Sequence, residues 1–168
     1  LTHDHQIQAM KIIILCENNT SAIYAEKNIL SEWGFSAFLQ TKTANILFDT
    51  GKTDVYKNNA EILGIDLDKT DFIILSHHHF DHAKGLISHN FKTKKKLIIH
   101  PQILEKISTD DSKKFKDDFK IITSTTPLEF SPDIFYLGEI PRKNDFEQGT
   151  HKGEKMLDDS AIAIKSKN

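Results

Sequence analysis

The chain has 168 residues with 22 basic, 24 acidic and nine histidine side chains, which is enough for one domain with its own core. The charges nearly cancel, and this argues against nucleic acid or a membrane surface as a general partner. Cys16 is the only cysteine and no apolar run approaches membrane-spanning length, so an internal disulfide is excluded and a cytoplasmic location is expected.

The predicted elements follow in chain order. Residues 1–9 lack periodicity and are expected to be a leader, disordered or an expression remnant, so that the domain spans 10–168. Short apolar or alternating runs predict strands at 11–15, 35–40, 45–48, 72–75, 97–99, 121–122, 134–137 and 161–164. Helices are predicted at 22–30, 52–63 and 102–107, with an exposed helix or loop at 108–120 and a mobile loop at 144–155. This interleaving predicts an α/β (α+β) fold whose helices cover a mixed sheet.

Glycines and aromatic residues give further local predictions. Gly34 and Gly64 are expected to end the helices at 22–30 and 52–63. Trp33 and Phe35 are expected in the core rather than on a stacking platform, because large aromatic side chains bury much apolar surface.

The stretch after the fourth predicted strand holds four histidines and an aspartate within six positions, in the pattern His77-x-His79-x-Asp81-His82. Residues two apart in an extended chain point the same way. We therefore expect His77, His79 and Asp81 to converge, with His82 turning in as the chain leaves the strand and His78 on the opposite side. A surface histidine loop or a purification tag is the alternative, but the cluster lies mid-chain behind a buried strand.

Imidazole and carboxylate groups together suit zinc, iron or manganese. Four ligands are more than one catalytic ion needs, because such an ion keeps a position open for water. The cluster therefore predicts two divalent metal ions. Zinc is preferred, with manganese and iron as alternatives.

The turn Asp49-Thr50-Gly51 after one strand and the histidine cluster after another resemble the metallo-β-lactamase superfamily. A closer resemblance is to the subgroup that includes the dihydropterin-ribofuranosylaminobenzene phosphate synthases, and it covers nearly everything from Met10 onward. The stretches that carry it are 32–36, 46–51, 63–67, 138–142, 146–147 and 158–161. The resemblance implies an αββα sandwich, two sheets face to face with helices outside, and a metal site at one edge.

The resemblance also implies roles for residues. It places His77 and His79 on the first metal and Asp81 and His82 on the second. Asp49 would orient the metal loop by hydrogen bonding; the alternative for Asp49 is an N-cap or Asx-turn for the helix at 52–63.

The superfamily draws further ligands from the second half of the domain. Asp159, in preference to Asp158, is the expected carboxylate near the metals, with a capped or solvated strand start as the alternative. His151 is a weaker candidate that lies in the predicted mobile loop. His100 is expected to pack at a strand end, and His89 has no predicted role.

The chain ends before the late ligands of the superfamily would fall. We therefore expect the amino-terminal part of a domain, with an incomplete second sheet. A half-built sheet leaves an apolar face and an open edge. A second copy of the chain or a separate carboxy-terminal fragment would cover them.

The implied activity is that of a metal-dependent hydrolase or phosphate-ester-processing enzyme, in which a metal-bound hydroxide attacks a small substrate. Asp81, with a spare carboxylate oxygen, would orient or deprotonate the water. Arg142, the only arginine, would hold a phosphate through a two-pronged contact, with a surface ion pair to Asp145 or Glu139 as the alternative.

Two other functions stay open at this point. One is a metal-binding but catalytically incomplete subunit that needs a partner chain. The other is a flavodiiron-like redox module, which would want more carboxylate ligands and a flavin partner.

Overall fold

A computed structural model describes residues 10–21, 26–143, 146, 150–151 and 153–165. The predicted leader, much of the predicted helix at 22–30 and part of the loop at 144–155 lie outside these residues. The strands are β1 (Lys11–Cys16), β2 (Ser36–Gln40), β3 (Asn45–Phe48), β4 (Phe72–Ile74), β5 (Lys96–Ile99), β6 (Lys120–Thr123), β7 (Leu128–Ser131), β8 (Ile134–Tyr136), β9 (Thr150–His151), β10 (Glu154–Lys155) and β11 (Ile162–Ile164). The α-helices of the same residues are α1 (Val55–Ile62), α2 (Phe80–Ala83), α3 (Pro101–Lys106) and α4 (Thr109–Asp118).

The larger sheet has the strand order β1-β2-β3-β4-β5-β6. The first three strands are antiparallel neighbours, and β2 and β3 form the predicted hairpin. Its turn is closed by the hydroxyl of Thr41, which accepts a hydrogen bond from the backbone N–H of Ala44 at 2.9 Å. Strands β3 to β6 are parallel, and helical segments provide the crossovers that parallel neighbours require.

Both faces of this sheet are buried at its central strands. In β4, Ile73 packs into a core shared with the helices, whereas the next residue, Ile74, packs against Ile134 and Tyr136 of the second sheet. Successive side chains of a strand point to opposite faces, so a strand covered on both sides is a continuous apolar run rather than an alternating one.

The second sheet is small, with the antiparallel order β11-β8-β7. Each helix in the described part of the chain contributes a buried residue to the core on the helix side of the larger sheet. The layers are, in order, the helices, the larger sheet and the small sheet. The predicted sandwich is therefore confirmed, and its second sheet is short. None of the described helices is long and apolar enough to cross a membrane.

Several local predictions were wrong. Residues 26–28 form a turn and 29–30 are irregular, so Gly34 does not end a helix there. Trp33 is 69% exposed rather than in the core. Strand β7 was missed because it has only four residues directly after Pro127, and such a short run is hard to separate from a turn.

Candidate metal site

The histidine cluster lies where β4 runs out of the sheet. Irregular chain follows Ile74, and α2 begins at Phe80 with His79 as its N-cap residue. Asp81 and His82 are therefore in a helical turn, and the expectation that an extended chain aligns Asp81 with His77 and His79 was wrong. The helical turn nevertheless brings the rings together, because the His77 ring centroid is 4.7 Å from that of His79 and 4.3 Å from that of His82.

The outward-facing nitrogens of two of these rings have fixed partners. His77 Nδ1 is 2.8 Å from the hydroxyl of Ser76, and His82 Nδ1 is 2.8 Å from the carboxylate of Asp49. The opposite nitrogens face into the cluster. His77 Nε2 is 3.0 Å from Nδ1 of His79, and His82 Nε2 is 3.8 Å from the Asp81 carboxylate.

Asp49, in the turn after β3, is buried beside the loop that carries the cluster. One of its oxygens accepts the backbone N–H of Ser76, and the other accepts the Ser76 hydroxyl, each at 2.7 Å. With the contact to His82, this carboxylate joins the end of β4 to α2. Asp49 is not the cap of α1, because Asp54 is the N-cap residue of that helix. Its backbone has φ +54°, a left-handed conformation that aspartate tolerates better than most residues.

Two close backbone approaches hold α2, one to the segment before β2 and one to the turn that follows β3. Gly34 packs on the carbonyl of Asp81, and a Cβ at Gly34 would overlap that oxygen. The same carbonyl accepts the N–H of Phe35 at 3.2 Å. On the other side, Thr50 N–H donates to the carbonyl of His82 at 2.8 Å.

The chain returns to the site just before β11. Asp159 is partly exposed and pairs with the guanidinium of Arg142. The structure therefore brings together the residue predicted as a late metal ligand and the residue predicted to hold phosphate. Of the alternative partners of Arg142, Asp145 lies outside the described residues, and Glu139 lies 3.2 Å from His100.

Asp158, the neighbour of Asp159, is the more buried of the two carboxylates. Its side chain has no exposed surface and accepts the backbone N–H of His78 at 2.9 Å. His78 Nδ1 and Lys106 Nζ lie 2.7 and 3.2 Å from the same carboxylate. Sequence reasoning missed this group because its partners are 80 and 52 residues away along the chain. The only signal was a pair of aspartates before a strand.

The remaining described histidines have structural contacts. His100 is buried and is the N-cap residue of α3, where its Nδ1 accepts the N–H of Gln102. His89 lies 3.0 Å from Asp118 and stacks on Phe91. The side chain of His151 lies outside the described part of the structure.

Burial and neighbouring charges set the protonation of the cluster. Burial, with the charge of His82, lowers the pKa of His77 to about 4, so its ring is neutral near pH 7. Burial also opposes a charge on His82, but the hydrogen bond and charge of Asp49 outweigh it and raise the pKa of His82. The charge of Asp159 acts on both rings. Burial opposes ionisation of Asp158, but hydrogen bonds from His78 outweigh it and lower the pKa of Asp158.

The donor chemistry of the cluster fits a borderline divalent ion. Imidazole nitrogens and a carboxylate face one another, and the outer nitrogens of His77 and His82 are already held by oxygen atoms. The two inward pairs of atoms, His77 Nε2 with His79 Nδ1 and His82 Nε2 with the Asp81 carboxylate, lie 3.0 and 3.8 Å apart. Among the described residues, no three histidine, cysteine, aspartate or glutamate side chains are yet arranged around one common point. Metal ligation by His77, His79, Asp81, His82 and Asp159 therefore stays a prediction.

Comparisons with known proteins identify relatives of this chain. Over 136 residues the chain is 29% identical to an uncharacterized protein, MJ0448, of Methanocaldococcus jannaschii, covering 73% of this chain and 52% of that protein. It is also 29% identical to the 7,8-dihydropterin-6-methyl-4-(beta-D-ribofuranosyl)-aminobenzene-5'-phosphate synthase of the same organism, covering 95% of this chain and 61% of the synthase. The chain thus spans between half and two thirds of the length of these relatives.

The fold is similar to that of Tm1679, a solved structure described as a metal-dependent hydrolase of the beta-lactamase superfamily. The TM-score is 0.68 at 24% identity, over 93% of this chain and 61% of that one. Residues 34–164 match the family model of the metallo-beta-lactamase superfamily, which is more than half of the chain. The histidine and aspartate cluster at the end of β4 therefore stands on a known fold, and this chain belongs to the metallo-β-lactamase superfamily.

Proposed function

We propose that the chain forms the metal-binding part of a metal-dependent hydrolase or phosphate-ester-processing enzyme that uses two divalent ions, with zinc preferred over manganese or iron. The observation that carries the proposal is that the outer nitrogen of each of two rings has an oxygen partner. Nδ1 of His77 contacts the Ser76 hydroxyl, and Nδ1 of His82 contacts the Asp49 carboxylate. Histidines that bind metals typically have their second nitrogen held in this way, because the contact fixes ring orientation and tautomer.

The residues take separate roles in this proposal. His77 and His79 would hold one ion, and Asp81 and His82 would hold the other. Asp159, in the segment before β11, would be a further carboxylate ligand. When bound, the ions supply an activated water and polarise the substrate oxygen. Asp81 would orient that water with its second carboxylate oxygen and accept its proton.

The substrate is proposed to be a small molecule with an ester or phosphate group. The name of the relative that is a 5'-phosphate synthase supports a phosphorylated substrate. Arg142 is the proposed phosphate-binding residue, because a guanidinium matches phosphate with two parallel hydrogen bonds. Its pairing with Asp159 places this cation beside a proposed ligand, so phosphate would replace Asp159 as its partner once Asp159 turns to the ions.

The alternative is a metal-binding domain that is catalytically incomplete by itself. The observation favouring it is that the chain spans only 52% and 61% of its relatives. A second copy of the chain or a separate carboxy-terminal piece would then complete the site.

The test is metal content and turnover of the purified chain with zinc, manganese or iron added, using chromogenic phosphodiesters and carboxylic esters. We expect close to two ions per chain, and we expect His79→Ala to lose metal and at least about 100-fold of the turnover, the upper end of losses typical for residues that only support ligands. His89→Gln, which removes an imidazole outside the cluster, is the matched control. Full turnover in His79→Ala contradicts the proposal, whereas turnover only after a carboxy-terminal piece is added favours the alternative.

A further inference from the structure

Asp158 is a buried carboxylate beside the cluster that the proposed chemistry does not use. It accepts two hydrogen bonds from one residue, the backbone N–H of His78 at 2.9 Å and the ring Nδ1 of His78 at 2.7 Å. A third donor, the ammonium of Lys106 in α3, lies 3.2 Å from its other oxygen. All three contacts are charge-assisted, which makes them stronger than neutral hydrogen bonds.

His78 stands between His77 and His79, the two residues proposed to hold one ion. A hydrogen bond from the backbone N–H of His78 therefore restrains the peptide units that connect His78 to His77 and His79. The same returning segment makes a second tie, because Ser160 N–H donates to the carbonyl of Ser76 at 2.8 Å. The loop is thus held from one side by Asp49 and from the other by the segment that contains Asp158.

The chemistry of the contact also fixes the state of the His78 ring. An ionised carboxylate only accepts hydrogen bonds, so Nδ1 of His78 must carry the proton that it shares with Asp158. The ring of His78 is held with its centroid 4.7 Å from that of His79. A carboxylate without exposed surface is costly unless it is fully paired, and here most of the pairing comes from this loop.

We propose that Asp158 is a positioning residue of the candidate metal site, which acts through its two hydrogen bonds to His78 to hold His77 and His79 at the ion. The inference rests on the proposed function only in so far as these histidines bind metal. It assigns Asp158 no contact with substrate or metal.

The first test is zinc affinity of the full chain, measured by competition with a chromogenic chelator and without any substrate. Asp158→Ala, which removes the acceptor of both hydrogen bonds from His78, is expected to weaken zinc binding about 10- to 100-fold, the range typical of residues that orient metal ligands. His78→Ala keeps the carboxylate but removes the ring contact, and it should weaken binding as well. The double variant should be no weaker than the more affected single variant, because both changes disturb one coupled contact. Lys106→Gln, which leaves both bonds to His78, is the matched control and should stay within about threefold of wild type.

The second test is the nitrogen NMR spectrum of His78 in the metal-free chain, a readout that a merely structural role would not fix. We expect the proton on Nδ1 in the wild type, and its loss from Nδ1 in Asp158→Ala. Zinc affinity of Asp158→Ala within about twofold of wild type overturns the inference, and so does a wild-type His78 with its proton on Nε2. If Asp158→Ala does not fold, His78→Ala decides, since unchanged zinc affinity in that variant also overturns it.

Turnover keeps this inference separate from the proposed function. A wild type that binds zinc without hydrolysing any ester contradicts the proposed function and leaves the positioning role of Asp158 supported by the affinity data. A wild type that binds no zinc overturns both.

Discussion

At the scale of single residues, Asp49 links Ser76 at the end of β4 to His82 in α2. Its carboxylate receives two donors from Ser76 and faces Nδ1 of His82. It is 1% exposed. Removing the charged acceptor of a buried donor costs more free energy of folding than a surface hydrogen bond contributes, because water cannot take the place of the lost acceptor.

Asp49→Asn is therefore expected to lower the unfolding free energy of the metal-free chain by about 2–4 kcal/mol, because the amide nitrogen would replace one acceptor oxygen. Urea unfolding monitored by fluorescence measures this. The matched control is Asp54→Asn, since the exposed Asp54 side chain makes no capping hydrogen bond and its loss should stay within about 0.5 kcal/mol. Equal losses in the two variants would contradict the structural role assigned to Asp49.

At the scale of elements, the site depends on how α2 docks against the turns after β3 and before β2. A four-residue helix has little stability of its own, so its position comes from contacts with neighbouring backbone. Gly34 provides one of these contacts, because its lack of a side chain lets the Asp81 carbonyl approach. Its φ of +149° also lies in a region that other residues avoid.

Gly34→Ala is expected to lower the unfolding free energy by about 3 kcal/mol or more, because left-handed strain of about 1–2 kcal/mol adds to overpacking of about 1–3 kcal/mol. Gly64→Ala is the matched control. Gly64 also has a positive φ, of +70°, but a Cβ there meets nothing within 4 Å, so only the strain of about 1–2 kcal/mol should remain. Thermal unfolding of both variants checks the difference, and a Gly34→Ala variant no less stable than Gly64→Ala would refute the close approach.

At the scale of the whole molecule, the cluster ties the two sheets to each other. Asp49 and His82 belong to the larger sheet and its helix, whereas Asp158 and Asp159 immediately precede β11 of the small sheet. An ion held between these segments would bind only the folded sandwich. Ligand binding restricted to the folded state stabilises it by mass action.

Zinc at about 100 times its dissociation constant should therefore stabilise the chain by about 2.7 kcal/mol, which corresponds to a rise in Tm of about 5–10 °C for a domain of this size. Calorimetry with zinc and with a chelator measures the shift. His89→Gln should retain the shift and His79→Ala should lose most of it. An unchanged wild-type Tm at saturating zinc would contradict metal binding by the folded chain.

Much of the larger sheet was predictable because its signals are local. The hairpin at residues 41–44 and helix α1 follow from turn residues and apolar spacing over a few positions, and both were found. The core position expected for Trp33 and the helix expected to continue through residues 26–30 were wrong for the same reason. A local sequence pattern indicates which secondary structure and burial a residue favours, but not whether another layer of the protein covers it.

The sequence by itself determined the superfamily, the mixed sheet and the grouping of His77, His79, Asp81 and His82, since these signals lie within short stretches of chain. Only the tertiary structure decided that Asp81 and His82 lie on a helix. It also decided that the Asp49 carboxylate contacts His82, and that Asp158 forms the hydrogen bonds to the histidine loop. Those contacts join residues that are 33 and 80 positions apart. Their geometry comes from the packing of two sheets, which no local preference encodes.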